Sequence, residues 1–202
     1  MDVRRILNRI RETVRQSRYL VPLGAALGAQ REALAPVVAA IADPDSDPDE
    51  VRMRIHQLHA AGRIDRVMML SALGVLAASP LVKDYSEAAR LAGQQELVAL
   101  DAEGDLRQRY LASADRHRGV LAYLLGYYEI ALDWFAQALE REPSAENLGN
   151  VLAAMIRLGQ IEEATDLRDR VATIYPDDVL DALARRIEAD DDLVRLRQEP
   201  DA

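Results

Sequence analysis

Hydrophobic residues recur at helical spacing along this chain, and no segment alternates as a strand would. Between residues 3 and 18, Val3, Ile6, Leu7, Ile10 and Val14 share one helix face, while Arg4, Arg11, Arg15 and Arg18 gather on the other. Pro22 interrupts this pattern. The Ala- and Gly-rich stretch from Leu23 to Ala42 predicts a helix kinked or split near Pro36, because proline removes an N–H donor and crowds the preceding turn. Residues 43–50, Asp-Pro-Asp-Ser-Asp-Pro-Asp-Glu, read as a linker whose second half starts a helix. There Asp47 is the cap, Pro48 the first helical residue and Glu50 lies three past the cap. That helix should run to about Ala60 and end at Gly62, with a partner from about Ile64 to Ala78. Asp84 with Glu87 opens another, to about Ala102. Asp105 with Gln108 opens a long one reaching Leu125.

From there the chain repeats. Gly126 and Gly159 are 33 residues apart, as are Ala131 and Ala164, and Pro143 and Pro176. Glycine suits a tight turn after a first helix, alanine permits close packing of a second, and proline closes the unit. In the first copy, residues 112–144, Gly119, Leu125, Gly126, Tyr128, Ala131, Phe135, Ala138 and Pro143 carry the pattern. The second, residues 145–177, keeps Leu148, Val151, Leu152, Gly159, Ile161, Ala164 and Pro176. A last helix follows, with Val179, Leu180, Leu183 and Ile187 on one face and Arg185 facing away, before the tail at 199–202, which should fray.

This pattern resembles the tetratricopeptide (TPR) repeat. Asp115 and Arg118 depart from it where the family is large and apolar, Arg168 replaces its usual aromatic, Val171 its later alanine, and the period is one short of the usual 34. Echoes at Gly62 and at residues 85–89 suggest degenerate TPR-like hairpins across 47–111. The resemblance implies an all-α, right-handed α-α hairpin solenoid with additional N-terminal helices over residues 1–42, and a capping helix and acidic tail over 178–202. It also implies a non-catalytic scaffold that binds a peptide or helix, from a protein or peptide partner, in a groove lined by the first helix of each repeat. The matching positions are Arg116, Val120, Tyr123 and Leu124, then Gly149, Asn150, Ala153, Ile156 and Arg157. Val120 stands where a chaperone-binding carboxylate clamp would have Asn.

Composition supports the helical reading. Half of the 202 residues are hydrophobic but only 4% are aromatic, so the core rests on Ala, Leu, Val and Ile. The net charge of −9 argues against general nucleic-acid binding. Lys83 is the only lysine, a bias that points first to a GC-rich, bacterial genome. The absence of cysteine excludes disulfides and thiolate metal sites. With no signal-peptide pattern, and an apolar run from Tyr19 to Ala29 too short to span a bilayer, a cytoplasmic protein is expected.

Residues 1–42 hold seven arginines against Asp2, Glu12 and Glu32, about +4, leaving −13 for the rest. Two readings of Arg4, Arg11, Arg15 and Arg18 stay open. They contact an anionic membrane or acidic partner, making the chain a peripheral membrane adaptor, or their helix docks its apolar side on this protein's own helices. Attraction between the halves of different copies would give a homo-oligomer.

Candidate chemistry is sparse. His56 and His59 sit three apart but lack a third ligand, and Asp43, Asp45 and Asp47 imitate a calcium loop that fails at Pro48 and Arg54. The carboxylate runs read as solvated helix starts, and there is no phosphate loop or nucleophile elbow. No catalytic residue, metal or cofactor is expected.

Overall fold

A computed structural model describes residues 21–196, with side chains from Gly28. Among the described residues the secondary structure is entirely helical: α1 Val21–Ala42, α2 Pro48–Ala60, α3 Arg66–Ala78, α4 Tyr85–Leu100, α5 Gly104–Leu124, α6 Tyr128–Arg141, α7 Ala145–Arg157, α8 Ile161–Val171, α9 Asp177–Ala189 and a 3-10 helix, Asp191–Leu196. No helix among them is long and apolar enough to cross a membrane. The chain divides into two compact units, with the boundary inside α5 between Leu121 and Ala122. The N-terminal positions Arg4, Arg11, Arg15 and Arg18, and the tail at 199–202, lie outside the described residues.

In the first unit, α1 runs unbroken through Pro36, where the sequence predicts a kink or split. Pro36 and Glu32, whose carbonyl loses its N–H partner, are both exposed, so water can satisfy the carbonyl. Leu34, Val37 and Ile41 on the opposite side pack with Val51, Ile55, Ile64, Ala72 and Leu76. A second cluster joins Leu70 and Ala77 of α3, Ala88 and Leu91 of α4, and Leu121 of α5.

Side-chain caps set the helix starts. Asp47 accepts from the Asp49 amide at 2.9 Å and Asp84 from the Glu87 amide at 2.9 Å, as the sequence predicts. Asp65, not Ile64, marks the start of α3: its carboxylate accepts from the Met68 amide at 2.8 Å. Asp105 does not cap α5, which begins one residue earlier at Gly104. Buried polar groups lie between the apolar layers. Gln95, fully buried, donates to Ser113 Oγ at 2.9 Å, and Ser71 Oγ lies 3.2 Å from His117 Nε2. Asp115 and Arg118, the two polar residues that depart from the pattern in the first copy, pair at 3.9 Å, and Arg118 also donates to Glu96.

In the second unit the 33-residue period is visible in the backbone. Gly126 adopts φ +82° and Gly159 φ +77°, values that only glycine enters without strain. The Gly126 amide bonds the Tyr123 carbonyl at 3.0 Å and Tyr127 bonds Ala122 at 2.8 Å. Gly159 bonds Ile156 at 3.0 Å and Gln160 bonds Met155 at 2.9 Å. Each donor and acceptor of one turn is 33 residues from its counterpart, and both turns are Schellman closures. Ala131 and Ala164 then sit fully buried at equivalent places in α6 and α8.

α7 is the centre of this unit. Ten consecutive residues, Asn147 to Ile156, are buried, since α6, α8, α9 and the 3-10 helix all pack on it. Ser144 caps its start, accepting from the Asn147 amide at 3.2 Å. The Asn147 side chain closes the preceding helix end by donating to the Glu142 carbonyl at 2.8 Å.

Candidate recognition site on α7

The last turn of α5 and the first two turns of α6 bring three aromatic rings together. Tyr123 meets Tyr128 edge-on at 5.2 Å and Phe135 at 6.3 Å, an arrangement favoured by the ring quadrupoles. Phe135 is buried, so the rings fix the Tyr123 hydroxyl in direction. Arg157 ends α7 with its guanidinium 6.0 Å from the Tyr128 ring centroid.

Both polar groups point at one carboxylate. Tyr123 Oη donates to Asp192 Oδ2 at 2.5 Å, and Arg157 Nη2 donates to Asp192 Oδ1. Arg157 Nε also donates to Tyr123 Oη at 3.2 Å, closing the three into a ring of charge-assisted bonds. Burial first, and then the hydrogen bond to the Asp192 carboxylate, pushes the Tyr123 phenol well above its ordinary pKa. Arg157 opposes the shift but does not cancel it.

Asp192 belongs to the 3-10 helix, which returns from the end of α9 to lie on α7 and α8. Leu193 and Leu196 from the same segment are buried, while Val194 and Arg195 between them are exposed. Arg168 of α8 donates through Nη1 to the Leu196 carbonyl at 2.6 Å. Arg168 thus has a use, since it satisfies the backbone of the returning segment.

A second polar link lies beside the first. Arg186 of α9 donates to Asn150 Oδ1 at 2.6 Å and to the Glu146 carbonyl at 3.1 Å. To do so it crosses the backbone of α7 at Gly149.

The structure therefore engages three of the residues expected to line a peptide groove with later parts of the same chain, the 3-10 helix and α9. Tyr123 and Arg157 hold Asp192, and Asn150 holds Arg186. Asn150, Ala153 and Ile156 are buried, and Leu124 is exposed at the end of α5. Arg116 and Val120 lie in the first unit and are half-buried. Arg116 reaches Ser113 Oγ at 3.5 Å. Sequence reasoning missed Asp192, Leu193, Leu196 and Arg186. The available signal was an aspartate run followed by two leucines three apart, which resembles an ordinary acidic end.

The other candidate positions have local partners. His59 Nδ1 lies 3.1 Å from the Ile64 carbonyl, and His56 is exposed. Asp43 Oδ1 accepts from the Asp45 amide at 3.0 Å, as in an ordinary turn. An open cleft of about 580 Å³ is lined by Gln30, Glu32, His59, Arg63 and Asp65 among others. Its Asp65 carboxylate, besides capping α3, accepts from Gln30 Nε2 at 3.1 Å and Tyr110 Oη at 2.7 Å. Among the described residues no group of three or more His, Asp or Glu side chains could hold a metal ion.

Comparison with family models, characterised proteins and solved structures finds no match to this chain.

Proposed function

We propose that this chain is a non-catalytic helical interaction module of TPR type, which holds a short acidic, leucine-containing segment of a protein partner against α7. The observation that carries the reading is the convergence of Tyr123 Oη and Arg157 Nη2 on opposite oxygens of one carboxylate, with two leucines of the same segment buried alongside. A charged guanidinium and a ring-fixed phenol supply direction, the leucines supply apolar burial, and the backbone bond from Arg168 fixes register. The 33-residue recurrence of turn geometry at Gly126 and Gly159 supports the repeat assignment.

A display library of random twelve-residue peptides, panned against the full chain, tests this. Enrichment of acidic and leucine-bearing sequences is expected, with loss when Tyr123, Asn150 and Arg157 are replaced by alanine in a chain that keeps its helical circular dichroism. Enrichment that survives those replacements, or none at all even on a chain whose own segment is released by Asp192→Asn and Leu193→Ser, rejects recognition at this face.

A further inference from the structure

We infer that residues 190–196 are an intramolecular ligand: they fill in cis the site that a partner fills in trans. The partner's segment repeats their pattern, an aspartate with leucines at the next and the fourth following positions. This deepens the recognition reading above and rests on it.

Four features distinguish this segment from an ordinary helix cap. It is short, six residues of 3-10 helix whose hydrogen bonds are poorer than those of an α-helix. Its contacts are concentrated in three side chains. Asp192 meets Tyr123 and Arg157, Leu193 and Leu196 are buried, and Val194 and Arg195 face outward. Its polar anchor is open to exchange, because the Arg157 side chain is 48% exposed and Asp192 28% exposed, so water and competing carboxylates can reach the pair. Finally, α9 breaks at Asp190, where the backbone turns extended and the Asp190 carboxylate accepts from the Asp192 amide at 3.0 Å. This turn ends the regular α9 helix, and the three side chains, with the Arg168 bond to the Leu196 carbonyl, hold the segment down.

A tethered ligand of this kind acts at an effective concentration in the millimolar range, so the intact chain resists weak competitors and admits only a partner that binds better or in excess. The site is thereby selective without any added contact. Opening it requires loss of one half-exposed ion pair, one phenol hydrogen bond, the Arg168 bond to the Leu196 carbonyl and the burial of two leucines.

A fluorescein-labelled peptide with the sequence of residues 188–196, EADDDLVRL, is the probe, and the full chain is the receptor. The double replacement Asp192→Asn and Leu193→Ser should raise peptide affinity about tenfold or more over the unaltered chain, by removing the competing tether. Adding Arg157→Ala to that chain should abolish the gain, and peptides bearing Asn at the aspartate or Ser at either leucine should fail. Equal affinity for unaltered and released chains, or a gain indifferent to Arg157, overturns the inference. Hydrogen exchange on the unaltered chain decides the matter if the released variant does not fold. Excess unlabelled peptide should speed exchange of the 191–196 amides while leaving those of α7 protected, and unchanged exchange at 191–196 overturns the inference. A library that enriches acidic, leucine-bearing peptides of another spacing, with loss in the Arg157 variant, would reject this inference and leave the recognition reading standing.

Discussion

The side chain of Arg186 lies directly across Gly149. A Cβ built at that glycine would approach Arg186 Nε to 2.5 Å and Cδ to 2.6 Å, closer than packed atoms allow. The glycine is there for close approach, since its place in the middle of α7 is otherwise unfavourable to helix by about 1 kcal/mol relative to alanine. Gly149→Ala should therefore destabilise the protein, by about 1 kcal/mol, as the arginine loses its bonds to Asn150 and Glu146. In a chain already carrying Arg186→Ala the same replacement should stabilise instead, because only the propensity gain remains. Urea denaturation of the four chains measures this reversal of sign. A Gly149→Ala effect of the same sign in both backgrounds would show that Arg186 does not set the tolerance at this position.

Three phenols are held neutral by their surroundings. Burial first, then the hydrogen bond to Asp65, raises the pKa of Tyr110. Burial and Asp192 raise Tyr123, and burial alone raises Tyr175, whose hydroxyl has no hydrogen-bond partner among the described residues. With the folded values above the unfolded one, the stabilising contribution is complete below about pH 10 and is lost as pH climbs beyond it, because the unfolded chain ionises first. Absorbance at 295 nm should show a late phase of tyrosine ionisation that coincides with loss of helical circular dichroism, and Tyr123→Phe should remove one equivalent from it. Completion of the whole titration with helicity intact would contradict the environments described.

Much of the fold was legible because its determinants are local. Asp47 and Asp84 cap through amides two and three residues away, and a glycine followed by a resumed helical pattern marks both Schellman turns. The site was only half legible. The resemblance to a repeat singles out Tyr123, Asn150 and Arg157, but their partners Asp192, Arg186 and Asp192 lie 69, 36 and 35 residues away along the chain. No spacing rule brings a six-residue segment back onto α7. The departures from the repeat pattern were legible only as exceptions. Arg168 and the Asp115–Arg118 pair each acquire a reason once a carbonyl, or an ion-pair partner, is opposite them.

The two repeat turns carry a matched prediction. Gly126 and Gly159 both sit in the left-handed region, and an added Cβ at either would meet no atom within 4 Å. The penalty for alanine is thus backbone strain alone, about 1–2 kcal/mol at each position. Asparagine, which tolerates this conformation better, should cost less. Equal losses at the two sites, each roughly halved by asparagine, are the expected outcome in denaturant titrations. A much larger loss at one turn would mean that its glycine serves a contact besides the turn.

Pro36 offers the opposite kind of change. It lies in the interior of α1 on the exposed side, where its ring fills no packing space and its missing N–H leaves the Glu32 carbonyl to water. A proline in a helix interior is worse than alanine by about 3 kcal/mol, while its restriction of the unfolded chain returns at most about 1 kcal/mol. Pro36→Ala should therefore stabilise the chain by about 1–2 kcal/mol and slow hydrogen exchange through the middle of α1. The adjacent Val37 is fully buried against α2 and α3, so Val37→Ala should do the reverse, through lost burial and the cavity it leaves. Faster exchange in the Pro36→Ala chain would mean that the proline, rather than the buried stripe of Leu34, Val37 and Ile41, holds this helix in place.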